Sequence, residues 1–288
     1  MSTRAQVSPE YRTLLARCGL SDPAALLDRD FEQQPPAGNW TLLSKPGLGG
    51  RQRWRWQPPA GPDGNADVLY VKRYLRSSLS EQRDRLMRQA PLTSRAGWEY
   101  RVACRLRELH VDVPRPVAWA QRMWGPFELR SAVVFAAAAG DGLDRVWQRL
   151  QSRRAPITQG LGRHDLTVRL ARFVAAFHGT GFCHRDLYLC HVFAEIDEQG
   201  RRPPRFTLID LARVHNPRLR RMRWIIKDLA QLDASARQVG ASRTDRLRFL
   251  RAYLNLGPRA PRVRWYARRI VRKSDWILRR IARHEGRR

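Results

Sequence analysis

Lysine is nearly absent: of 55 basic residues in the 288-residue chain, only Lys45, Lys72, Lys227 and Lys273 are lysine, and the other 51 are arginine. Cysteine is also scarce. Cys18, Cys104, Cys183 and Cys190 are too few and too scattered for a disulfide scaffold, which fits a reducing, cytoplasmic setting. Apolar runs are short; uncharged stretches such as Phe173 to His184 fall far below the ~20 residues that cross a bilayer. The start, Met-Ser-Thr-Arg-Ala-Gln, lacks the apolar core of a secretory signal, so neither an integral membrane protein nor an exported one is expected. Acidic residues number 26, leaving a net charge of +29. That excess predicts anionic partners: phosphorylated glycolipid, acidic membrane surface, nucleotide or nucleic acid. What is present is enough for a core: at 43% hydrophobic the chain is globular rather than disordered, and its length suggests two domains or lobes.

Residues 1–34 are predicted to form a helical preface, with Tyr11, Leu14, Leu15 and Cys18 at helical spacing and a second start at Ser21-Asp22-Pro23. After the breaker cluster Pro35–Asn39, strand patterns follow at Trp40–Ser44, Arg51–Gln57 and Asp67–Tyr74. A helix is predicted over Ser94 to Leu109. Pro114-Arg115-Pro116 interrupts, and Ser131–Ala137 is a further apolar strand. Past Gly140 the pattern is mostly helical, with short strands at Val192–Ile196 and Phe206–Ile209. The result is a two-lobed α+β protein: an N-terminal extension (1–34), a β-rich lobe (35–138) and a helical lobe (139–288) with basic C-terminal helices.

A rare lysine within the apolar strand Val-Leu-Tyr-Val-Lys72 is costly unless an anion meets it or the strand is an edge facing solvent. Glu99 shares a helical face with Val102, Ala103 and Leu106 and is the natural partner. Trp98, Val102, Arg105 and Leu109 define a rival face, so these residues alone leave the pairing open. Cys183-His184-Arg185-Asp186-Leu-Tyr-Leu-Cys190-His191 follows a helix stop, and Asp210 ends a short strand 24 residues after Asp186. A Gly-rich turn, strand Lys, helix Glu, His-Arg-Asp and strand-end Asp, in that order, are the landmarks of the protein-kinase-like fold.

More closely, the chain resembles the lipopolysaccharide kinase family, which phosphorylates heptose or Kdo sugars of the lipid A–core. His184–His191, Phe206–Arg213, Trp98-Glu99, Leu109–Val117 and Lys227-Asp228-Leu-Ala-Gln-Leu carry the resemblance, over roughly residues 40–235. It implies ATP and Mg²⁺: Lys72, fixed by Glu99, on the α/β-phosphates; Gly47, Gly49 and Gly50 over the phosphates; Phe135–Ala138 against adenine. Asp186 would take the proton of the sugar hydroxyl, Asp210 would bind the metal, and Asp228 would buttress the loop of His184 and Arg185. His191 occupies the place where protein kinases carry a metal-binding Asn. The lipopolysaccharide kinase pattern also has His there, although imidazole suits Mg²⁺ poorly. The implied partners are the lipid A–core glycolipid, or another anionic glycan, and the anionic inner face of the cytoplasmic membrane. The implied site is cytoplasmic and peripheral, and nucleic acid is not expected.

Only 17 residues separate Asp210 from Asp228, too few for the docking segment a protein substrate needs. The competing readings are a kinase-fold enzyme acting on another glycan, small molecule or protein, and an inactive basic binding module. A zinc site of Cys183, His184, Cys190 and His191 does not match usual ligand spacing. In the C-terminal run, Ile270, Trp276, Ile277 and Ile281 are predicted to form an apolar face beneath a cationic one, suited to a membrane surface.

Overall fold

A computed structural model describes residues 1–43, 50–60, 67–89, 92–153, 162–197, 202–257 and 260–285. The chain divides into two compact units, Met1–Glu108 with Val113–Ala138, and Leu109–Asp112 with Ala139–Arg288.

The first unit is built on a six-stranded antiparallel sheet: β1 (Ser2–Val7), β2 (Asn39–Leu42), β3 (Arg51–Gln57), β4 (Leu69–Tyr74), β5 (Pro116–Trp124) and β6 (Phe127–Ala136). The spatial order is β1-β5-β6-β4-β3-β2. Its helices are α1 (Arg12–Arg17), α2 (Ala25–Asp28), α3 (Leu79–Arg88) and α4 (Arg95–Glu108). Strand alternation separates two faces. Trp54 and Trp56 of β3 and Leu69 and Val71 of β4 are buried with Tyr11, Leu15, Leu20, Leu26, Leu27 and Phe31. Residues 1–34 therefore cover one face of the sheet. They also differ from the predicted helical preface, because β1 pairs with β5 along its whole length. The side chains of β1 stay largely exposed, so this strand is held by its backbone ladder and leaves almost no hydrophobic pattern.

Three further differences have local causes. The Pro114–Pro116 interruption opens directly into β5, with Pro116 as first residue, where a missing N–H is tolerated. Ser131–Ala136 proves to be the second half of the longer β6. The added helix α3 starts at a capping box in which Ser78 and Glu81 satisfy each other's backbone N–H groups.

The second unit has a small sheet, β7 (Asp141–Gly142), β8 (Val192–Glu195) and β9 (Arg205–Leu208), in the order β7-β8-β9. Around it lie α5 (Leu143–Arg153), α6 (Arg163–Gly179), α7 (Arg221–Gln238), α8 (Arg243–Leu254) and α9 (Pro261–Glu285). Helix α6 packs on α8, and α7 on α9. Gly181 ends the α6 region at φ +96°, a backbone conformation few other residues adopt. In α9, Val263, Tyr266, Ile270 and Ile277 are buried, whereas Trp276 is half exposed. Of the predicted apolar face of α9, Ile270 and Ile277 are thus buried within this unit, while Ile281 is partly and Trp276 half exposed. Among the described residues, no helix is long and apolar enough to cross a membrane.

Candidate active site

In the first unit, β4 and α4 bring one predicted pair together. Lys72 Nζ donates to Glu99 Oε1 at 2.5 Å, and the Tyr74 hydroxyl donates to the other carboxylate oxygen at 3.3 Å. The Glu99 side chain is 1% exposed and that of Lys72 17%, so the ion pair is largely withdrawn from water. Period-2 alternation makes this possible, since Lys72 and Tyr74 leave the same face of β4. Of the predicted glycine turn, Gly47 and Gly49 lie outside the described residues. Gly50 accepts from Leu75 N at 2.6 Å, and a Cβ there would stand 2.6 Å from Arg76 N, so close backbone approach requires glycine.

In the second unit the His-Arg-Asp loop hangs on one carboxylate. Asp228 of α7 is wholly buried and accepts from the backbone N–H of His184 at 2.6 Å and of Arg185 at 2.7 Å. His178, at the end of α6, completes the set, with Nε2 3.3 Å from Asp228 and Nδ1 2.9 Å from the Tyr253 hydroxyl. Burial alone would raise the Asp228 carboxyl. The His178 hydrogen bond and the loop N–H groups outweigh it and hold the group below the usual carboxylate range. Burial pushes the His184 imidazole down, toward its neutral form, and its Nε2 lies 3.0 Å from the Ile209 carbonyl. Arg185 takes the left-handed conformation (φ +69°) and is buried beside Trp224. His178, Cys183 and Asp228 lie close enough to hold a metal, but the loop hydrogen bonds already occupy Asp228.

These contacts deliver Asp186 to a partly exposed position. One Arg213 nitrogen donates to both its carboxylate oxygens, at 3.0 and 2.9 Å. Gln231 Nε2 stands 3.4 Å away and Lys227 Nζ 4.0 Å. Asp210 ends the β9 turn in a left-handed conformation (φ +59°), its side chain a quarter exposed. His191 joins the two loops: Nδ1 is 2.8 Å from the Asp186 carbonyl and Nε2 is 3.8 Å from Asp210. Burial would lower the His191 pKa, but hydrogen bonds to Cys190 and the Asp186 carbonyl, with the Asp210 charge, raise it to about 9. Asp210 offers the carboxylate oxygens a hard cation prefers, whereas an imidazole such as that of His191 suits Mg²⁺ less well.

Arg213, Lys227 and Gln231 had no predicted role. Lys227 carried a usable signal in its rarity, and Gln231 follows it by four residues on the same helical face. Arg213 ends the Phe206–Arg213 segment that carries the resemblance, but nothing in that pattern aims its side chain at Asp186.

The fold and these two sets of residues define a kinase-like α+β protein. Residues 62–253 match the lipopolysaccharide kinase (Kdo/WaaP) family, and the chain belongs to that family. The lipopolysaccharide core heptose(I) kinase WaaP of Pseudomonas aeruginosa is 33% identical over 156 residues, 54% of this chain and 58% of that protein. The WaaP of Escherichia coli K12 is 33% identical over 92 residues, 32% of this chain and 35% of that protein. The chain thus aligns with little more than half the length of the first relative. A structure of WaaP in complex with acyl carrier protein matches with a TM-score of 0.63 at 26% identity, covering 94% of this chain and 99% of that one.

Proposed function

We propose that this protein is an ATP-dependent kinase that phosphorylates a sugar hydroxyl, heptose or Kdo, of the lipopolysaccharide inner core. The observation that carries the reading is Asp186, presented on a loop pinned by Asp228 and flanked by Arg213 and Lys227. Phosphoryl transfer needs positioning and charge stabilisation more than covalent chemistry, and these residues supply both. Asp186 orients the acceptor hydroxyl and takes its proton as that oxygen bonds the γ-phosphorus and the bond to the β-phosphate oxygen breaks, releasing ADP. Arg213 and Lys227 offer positive charge to the transferring group. Lys72, held by Glu99, binds the α/β-phosphates. Asp210 would hold Mg²⁺, which neutralises phosphate charge. His191 ties the Asp186 loop to the Asp210 turn.

The net charge of +29 supports an anionic acceptor, the lipid A–core glycolipid, met at the inner face of the cytoplasmic membrane. The test is Mg²⁺-dependent transfer of labelled γ-phosphate to purified core glycolipid, with Asp186→Ala in parallel. Transfer by the wild type alone supports the reading. A folded protein that neither transfers phosphate nor binds ATP, yet binds RNA in a salt-dependent way, would return it to a basic binding module.

A second partner is suggested by the solved relative, which was captured with acyl carrier protein. The second unit contains a largely apolar cavity of about 490 Å³, lined by Leu143, Trp147, Leu166, Leu170 and Ile270 together with charged residues such as Arg246 and Asp233, which pair with each other. An acyl chain carried by such a protein would fit that lining. Co-purification of the acylated carrier, lost in Leu170→Arg, is the expected result.

A further inference from the structure

The second unit holds another cavity, of about 480 Å³, that belongs to neither the nucleotide residues nor the apolar pocket. Asp186, Arg213, Lys227 and Gln231 contribute to its lining from the catalytic side. Lys273, Trp276 and Arg280 contribute from α9. Among the described residues lining it, the only carboxylate is Asp186, already engaged by Arg213, against four cations. Among the described residues, no carboxylate pairs with Lys273 or Arg280. Arg237 nearby shows the ordinary arrangement, with Asp275 at 2.6 Å. Lys273 Nζ lies 3.8 Å from the centre of the Trp276 ring, and Arg280 lies 5.7 Å from it. Burial, then the charges of Arg223 and Arg280, push the Lys273 ammonium below its usual value. A cluster of like charges facing a cavity is costly unless an anion enters it.

We propose that Lys273 and Arg280 form an anion subsite of the acceptor pocket, receiving a carboxylate or phosphate on the acceptor sugar or its neighbour while a sugar face rests on Trp276. The inference builds on the kinase reading and narrows its substrate class. The reacting hydroxyl sits at Asp186, and the anion sits across the cavity on α9. Guanidinium and ammonium donors suit either anion, and an indole face suits the C–H face of a pyranose. The scarcity of lysine adds weight: Lys72 pairs with Glu99, and the other two described lysines, Lys227 and Lys273, both line this cavity.

The test titrates glucose 6-phosphate, glucuronate and neutral glucose into the full-length protein by calorimetry at constant ionic strength. The expected result is binding of both anionic sugars in preference to glucose, weakened about tenfold or more in Lys273→Gln/Arg280→Gln. Arg272→Gln, the same kind of charge loss at an exposed α9 position outside the cavity, should leave affinity unchanged. Glucose binding as tightly as its anionic forms would overturn the inference. So would an equal loss in Arg272→Gln, or a double variant that loses only binding to phosphatidylglycerol vesicles. None of these readouts requires turnover, so they stand apart from failure of the kinase reading. Conversely, core-glycolipid transfer with an acceptor KM unmoved in the double variant would overturn this subsite and leave the kinase reading intact.

Discussion

Lys72 and Arg73 are neighbours in β4 whose side chains leave opposite faces of the sheet and secure different things. Lys72 reaches Glu99 of α4, while Arg73 crosses to the N-terminal segment, donating to the carbonyls of Leu26 at 2.8 Å and Arg29 at 2.9 Å. The Arg73 guanidinium also lies 4.4 Å from the centre of the Phe31 ring. Residues 1–34 are therefore fastened to the strand that carries Lys72, the lysine proposed to bind nucleotide.

This arrangement separates stability from activity. Arg73→Met strips donors from buried carbonyls and should cost about 2–4 kcal/mol in urea unfolding. Lys72→Met strands the buried Glu99 carboxylate and should cost about 3 kcal/mol. Adding Glu99→Gln to Lys72→Met should recover most of that stability and none of the phosphoryl transfer. A double variant with restored activity would remove Lys72 from the nucleotide site.

Asp228 gives an acid-side prediction. Its carboxyl is held below the usual range in the folded protein, so its stabilising contribution is fully present above the unfolded value of about 3.9. The contribution is lost as pH falls through the depressed folded value. Asp228→Asn keeps the shape but turns an amide donor toward backbone N–H groups, and should cost about 3–5 kcal/mol at pH 7. The melting temperature of the variant should then change less between pH 5 and pH 3 than that of the wild type. Parallel acid profiles for the two proteins would contradict this account.

Much of the site was legible because its chemistry is written in local order. His184, Asp186 and Asp210 stand at recognisable spacings, and Lys72 stood out as a lysine in a chain that otherwise uses arginine. Other parts depend on geometry that no local pattern encodes. Nothing in Ser2–Val7 announces β1, which is held by backbone pairing with β5. Arg213 meets Asp186 across 27 residues, after a left-handed turn at Asp210 that no local pattern announces. The α9 pattern groups Trp276 with Ile270 and Ile277, but the two isoleucines are buried while Trp276 is half exposed and lines a cavity, a division that helical spacing alone does not encode.

The Arg213–Asp186 pair should matter to rate more than to folding. Arg213 is half exposed, and such pairs contribute at most ~1 kcal/mol. Arg213→Gln is expected to leave the unfolding midpoint nearly unchanged and to lower kcat roughly tenfold or more, the loss typical of a transition-state charge donor. A fall confined to stability would assign Arg213 to packing instead.

Lys227 makes the alkaline prediction. Its ammonium donates to the Arg185 carbonyl and stands 4.0 Å from Asp186. Burial pushes its pKa down from 10.5 to about 8, against the pull of the Asp186 charge. An unfolded lysine keeps its proton up to about 10.5, so the unfolded chain binds more protons between pH 8 and 10.5. This group's share of stability therefore rises with pH across that window, and the penalty for burying its charge is greatest below pH 8. Activity should move the other way: if the cation stabilises the transferring phosphoryl group, kcat/KM falls above pH 8 as the charge disappears. Lys227→Arg keeps a charge well past pH 10 and should shift that alkaline limb upward, at some cost in geometry. Lys227→Met should abolish the limb and lower the plateau about tenfold or more. If the limb in Lys227→Arg coincides with that of the wild type, another group titrates there and Lys227 serves only to hold the Arg185 carbonyl.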